Sequence, residues 1–176
     1  MKVRVFSMLI ATVWLTAPLA AQEQDTPELG DYTVEQRWER ASNQLTLSWV
    51  AAIAYAKSMG QSVEEYSNFL ADMFVPSWGE AGSGSVNIIR GVHRNFMMWP
   101  DTEFELVDAT GTSVTARMNR PWSAYFGEDR TWYGITQDEF ERSFQIFQER
   151  VADHLGLEYS DRTEGDWFYM TFTERD

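Results

Sequence analysis

The segment Arg90-Gly91-Val92-His93-Arg94-Asn95 holds the densest positive charge in a chain of 27 acidic and 14 basic residues. On a helix, Arg90, His93 and Arg94 fall at i, i+3 and i+4 and share one face. Two guanidinium groups beside an imidazole can grip a carboxylate or phosphate, because arginine presents a planar, two-pronged donor. His93 is also the candidate general base of this region. The plainer reading of the same face is a solvated one, its cations paired with nearby Asp and Glu.

The remaining candidates are more scattered. Arg120 and Trp122 follow a strand-like segment and would flank a ligand mouth if the aromatic stretch around them folds over a sheet. Trp99 and Trp132 are the other tryptophans placed to line such a cavity, since pockets are built from apolar and aromatic walls with a few polar groups. The same aromatics serve equally as core. His154 lies at the end of a helical pattern, where a cation complements the helix dipole. A His93, His154 and carboxylate metal site has no HExxH-like spacing behind it, so no metal or other cofactor is expected. The glycine-serine stretch 77–85 lacks any phosphate-loop or nucleophile-elbow pattern, which leaves Ser83 and Ser85 as connector residues. Paired carboxylates such as Glu64 and Glu65 arise by chance in so acidic a chain.

The amino terminus reads as an export signal. Lys2 and Arg4 precede an apolar run over residues 5–15, too short to span a bilayer, and the small residues Ala20 and Ala21 follow. Residues 1–21 are therefore expected to be a cleaved signal peptide, 22–31 a flexible lead-in, and 32–176 a single α+β domain, periplasmic or extracellular. No later stretch is apolar for long enough to form an integral membrane segment. Loss of Lys2 and Arg4 takes the formal charge from −13 to −15, which disfavours nucleic acid and anionic lipid surfaces. The absence of cysteine removes disulfides, thiolate metal sites and thiol nucleophiles.

Apolar periodicity and capping signals along the chain predict where helices and strands carry these side chains. Thr33 and Gln36 have capping-box spacing ahead of a stripe formed by Trp38, Ala41, Leu45, Trp49, Ala52, Ile53 and Ala56, stopped by Gly60. Ser62 and Glu65 repeat the spacing before Val63, Tyr66, Phe69, Leu70 and Met73, and the short connection predicts a helical hairpin. A third helix is expected over 86–98, weakened by Gly91. Alternation over 103–107 and 113–118 predicts a β-hairpin with one buried face. Residues 119–134 read as a long aromatic loop. Thr136 and Glu139 then cap a helix carrying Phe140, Phe144, Phe147, Val151 and Leu155 to Gly156. A last strand pair is expected over 157–160 and 166–173. The class is α+β: N-terminal helices and one later helix packed on an antiparallel sheet of two hairpins.

The segments TSVTARMNRP, TQDEFERSFQIFQERVADHLG and EGDWFYMTF (from Thr112 to Phe172) resemble, in the order of their elements, the L-2-amino-thiazoline-4-carboxylic acid hydrolase-like and 4-vinyl-reductase-like small α+β domains. The resemblance implies a cavity between sheet and helices for a small organic ligand. The cysteines frequent in that group are replaced here by Asn119-Arg120-Pro121 and Trp167-Phe168-Tyr169, so no cysteine-dependent chemistry carries over.

The leading expectation is an exported small-molecule-binding module, its partner a small organic anion, with Arg90, Arg94 or Arg120 orienting the anionic group. The alternatives are a hydrolase of a small amide or carboxylate using His93, and an envelope interaction domain without a pocket. The sequence sets neither the oligomeric state nor whether the protein is an enzyme.

Overall fold

The computed structural model describes residues 30–82 and 84–175; the expected signal peptide, most of the lead-in and Ser83 lie outside them. All three capping boxes form. Thr33 Oγ1 accepts the Gln36 N–H at 3.2 Å while Gln36 Oε1 accepts the Thr33 N–H at 2.9 Å, opening α1 (Val34–Ser58). Ser62 and Glu65 do the same for α2 (Val63–Phe74). Each box satisfies two backbone donors that the first helical turn cannot. Pro76 has no N–H to continue α2, and the chain tightens into a 3-10 turn over Val75–Trp78. Gly84, at φ +82°, turns the chain into α3 (Ser85–Phe96).

Strands β1 (Phe104–Ala109) and β2 (Ser113–Asn119) form the first hairpin. The expected loop that follows contains α4 (Ser123–Phe126) and a two-strand ladder of β3 (Thr131–Trp132) and β4 (Ile135–Thr136). Tyr133 and Gly134 make its turn with φ of +51° and +79°, the two positive values that a type I′ turn needs. Helix α5 (Gln137–Leu155) starts on the Thr136–Glu139 box and ends on Gly156 in the left-handed conformation. The last hairpin, β5 (Leu157–Glu164) and β6 (Trp167–Glu174), is longer than expected. Residues 161–164 belong to β5, because Glu164 pairs with Trp167 around a two-residue Gly165-Asp166 turn. The two hairpins join through β2 and β6, giving one antiparallel sheet in the order β1-β2-β6-β5.

The protein is thus α+β, with helices on one face of the sheet. Val114, Ala116 and Met118 of β2 and Phe168, Met170 and Phe172 of β6 point into the core, where α5 and α3 cover them. Edge strand β1 is left largely uncovered, so Leu106, inward by alternation, is 60 % exposed. The outer face is polar: Thr115 bonds Thr171 across the strands, and Arg117 lies over the Trp167 ring, bonded to Glu105.

Two expectations about the helices change. Helix α2 packs chiefly along α5 and only lightly on α1, so the first two helices do not form a close hairpin. The reason lies in which residues face inward: α2 buries Val63, Ser67 and Ala71, small groups that let two helix backbones approach, and leaves Phe69 and Met73 exposed. On α1 the buried row is Ser42, Thr46, Val50, Ile53 and Ala56, turned away from the Trp38–Leu45–Trp49 stripe. Buried serine and threonine are tolerated there because Ser42 Oγ donates to the carbonyls of Trp38 and Met98, and Thr46 Oγ1 to that of Ser42.

Candidate functional site

The displaced stripes face each other across an open groove. Leu45, Trp49 and Ala52 of α1 form one wall; Tyr66, Leu70 and Phe74 of α2 form the other. Phe144, Phe147 and Gln148 of α5 make the floor, and Asn95, Phe96 and Met98 close one end. The groove exists because α2 is drawn onto α5 by its small inward residues, leaving its large side chains, and those of α1, to line the space between. Its volume is about 480 Å³, within the range of small-molecule sites. Rim residues Leu45 and Phe74 are half exposed.

Polar groups are few in this groove. Trp49 Nε1 donates to Ser143 Oγ at 2.9 Å, and Ser48 Oγ to the Gln44 carbonyl at 2.7 Å, so both are engaged. Partial burial raises the Tyr66 hydroxyl pKa above its ordinary value, keeping it neutral. Gln148 is different: it is buried, and its Oε1 has no hydrogen-bond partner among the described residues. An unmet acceptor sealed beneath an apolar groove is costly to the fold. No charged side chain lines the groove.

The residues singled out from sequence do not converge there. Trp99 and Trp122 are 1 % and 0 % exposed and fill the core, 5.2 Å apart between ring centroids; Trp99 also edges a small hollow of about 190 Å³ beside Pro100 and Tyr125, away from the groove. Their indole N–H groups are taken by Thr46 Oγ1 and Glu141 Oε1, each at 2.9 Å. Arg120 is drawn inward as well, its Nη1 3.3 Å from Glu141 Oε1 and its Nη2 donating to the Gly165 carbonyl at 3.2 Å. Trp132 stacks on Tyr125 at 5.4 Å, beside the β3–β4 turn. The space between sheet and helices, where the family resemblance implied a cavity, is packed with these rings.

His93 is exposed on α3 and sits against the Phe104 ring at 4.9 Å. His154 Nε2 donates to the Gly79 carbonyl at 2.8 Å and pins the glycine-serine segment to α5. Neither histidine lines the groove, and among the described residues no cluster of three or more His, Cys, Asp or Glu is placed to hold a metal ion. Arg90 and Arg94 do come together. They line a polar hollow of about 290 Å³ with Ser77, Trp78, Gly91 and Asn95. Sequence reasoning missed the groove because it assigned each helix one apolar face and sent that face to the core. The signal available was the excess: α2 has more large apolar residues than one buried stripe can hold.

No family model matches the chain, and no curated protein matches it. Among solved structures, it is similar to an Fe(II) unliganded H-NOX protein from K. algicida at TM-score 0.39 and 9 % identity, over 84 % of this chain and 76 % of that one. A likeness at that level defines neither a family nor an activity. No described helix is long and apolar enough to cross a membrane.

Proposed function

We propose that this protein is an exported small-molecule-binding module that holds a largely apolar organic molecule between α1, α2 and α5. The observation that carries this reading is the open apolar groove itself, walled by large aliphatic and aromatic side chains of three helices and lined by no charged group. Apolar surface drives the association. Export is read from residues 1–21 and would place the module outside the cytoplasm.

The test is a thermal-shift screen of the purified protein against apolar acids, esters, alcohols and amides, repeated with Ala52→Phe. A ligand at 100 times its Kd adds about 2.7 kcal/mol to stability. The expected result is a shift of several degrees that Ala52→Phe, which fills the groove, abolishes. A shift that survives Ala52→Phe places binding elsewhere and overturns the assignment.

A further inference from the structure

The two hollows adjoin. Asn95 lines both the apolar groove and the polar hollow that holds Arg90 and Arg94. A second link runs through the end of α2: Phe74 lines the groove, and its carbonyl accepts Ser77 Oγ from the polar hollow at 2.6 Å. Trp78 of the polar hollow packs edge-on against Phe147 of the groove floor, 6.1 Å between centroids. The apolar trough therefore shares a border with a pocket that holds two guanidinium groups.

Those guanidinium groups are available. Eight ion pairs form among the described residues, and they use arginines at 117, 120, 130, 142, 150, 162 and 175 as well as Lys57. Among the described residues, neither Arg90 nor Arg94 has a carboxylate within ion-pair distance, although acidic residues outnumber basic ones about two to one in the sequence. Arg37 and Arg40 share that condition, but the hollow they line is formed by residues 32–44 alone and includes the carboxylate of Glu39. Arg90 and Arg94 instead stand one helical turn apart and flank a concavity whose other walls are indole and side-chain amide.

The geometry points to an amphiphilic carboxylate as the ligand class: an apolar body in the groove, its anionic end held by Arg90 and Arg94 across Asn95. This rests on the groove reading above and adds the head-group site. The acidic surface elsewhere repels a free anion, so the apolar body and the arginine pair must act together to retain it.

Isothermal titration with decanoate, its uncharged analogue methyl decanoate, and acetate separates the parts, using wild type and the double variant Arg90→Gln/Arg94→Gln. Both arginines are exposed, so the variant should keep the fold, checked by circular dichroism. Decanoate should bind about tenfold or more tightly than methyl decanoate. The double variant should lose that advantage while binding methyl decanoate as wild type does. Along hexanoate, octanoate and decanoate, affinity should rise about fourfold per methylene. Equal affinity for decanoate and its ester in wild type would overturn the head-group site and leave the groove reading standing. Acetate binding as tightly as decanoate would make the arginine pair an independent anion site and overturn the joined one. If neither ten-carbon probe binds, both readings fall.

Discussion

The indole nitrogen of Trp122 donates to Oε1 of Glu141 at 2.9 Å, deep in the core. The same oxygen accepts from Gln137 Nε2 at 2.7 Å and faces Arg120 Nη1 at 3.3 Å, so one carboxylate gathers the aromatic segment 119–134 onto α5. Glu141→Ala strands a buried indole N–H and a mostly buried guanidinium at once. Removing one partner of a buried charged pair costs about 3–5 kcal/mol. Urea denaturation of Glu141→Ala should show a loss in that range, and a loss below 1 kcal/mol would mean that the network is dispensable.

Helix interiors usually gain about 1 kcal/mol when glycine becomes alanine. Gly91 should behave in the opposite sense. A Cβ built there would lie 2.6 Å from Cζ3 of Trp78, whose ring is backed by Phe147. Gly91→Ala must displace that indole, at a cost of about 1–3 kcal/mol. The expected outcome is a lower melting temperature together with altered tryptophan emission.

Gln148→Met keeps much of the side-chain length and removes the orphan acceptor. An unmet buried polar atom costs about 1–3 kcal/mol, so the ligand-free variant should be more stable than wild type by roughly 1 kcal/mol in denaturant titrations. Unchanged or lower stability would show that the acceptor is met in solution.

Two carboxyls should shape the acid limb of stability in opposite directions. Partial burial opposes the charge of Glu139, but the Lys57 ammonium and the Thr136 N–H outweigh it and hold the pKa below its ordinary value. Its contribution is full above the ordinary range near pH 4.3 and is lost as the pH falls through the lowered folded value. Glu139→Gln keeps the cap and removes the pair with Lys57, which is open to solvent and screened. The variant should lose about 0.5 kcal/mol at pH 7 and nothing at pH 2.5. Burial raises the pKa of Asp161, so the fold favours its neutral form, and stability from this group declines as the pH rises through the acidic range. Asp161→Asn, which can still accept from Gln145 Nε2, should gain stability at pH 7 and match wild type at pH 2.5.

The elements most legible in the sequence were those fixed by local chemistry. Thr33, Ser62 and Thr136 each announce a helix, because the cap, its Gln or Glu partner three residues on, and the apolar periodicity all lie within one turn or two. The Tyr133-Gly134 turn was not legible, since tyrosine at φ +51° replaces the asparagine or aspartate that would advertise it; its ring packs on Trp132, which in turn stacks on Tyr125. The groove was hidden for a different reason. Whether Leu45, Trp49, Tyr66 and Phe74 face a core or a hollow depends on how closely α2 approaches α5, which Ser67 and Ala71 decide from another part of the helix. Arg90 and Arg94 could be placed on one face from spacing alone; their lack of carboxylate partners required the fold.

The distribution of tryptophans gives the molecule two separate optical reporters. Trp99 and Trp122 are sealed from water with both indole N–H groups occupied, and at 5.2 Å their transitions couple, so near-ultraviolet dichroism follows the integrity of the core. Trp49 lies in the groove wall with one edge open to whatever enters. An occupant would change the emission of Trp49, and that of Trp78 where its anionic end meets the arginines, while the dichroism of the coupled pair stays constant; unfolding would change both signals. Binding and denaturation can therefore be told apart in the unlabelled protein, from its own light.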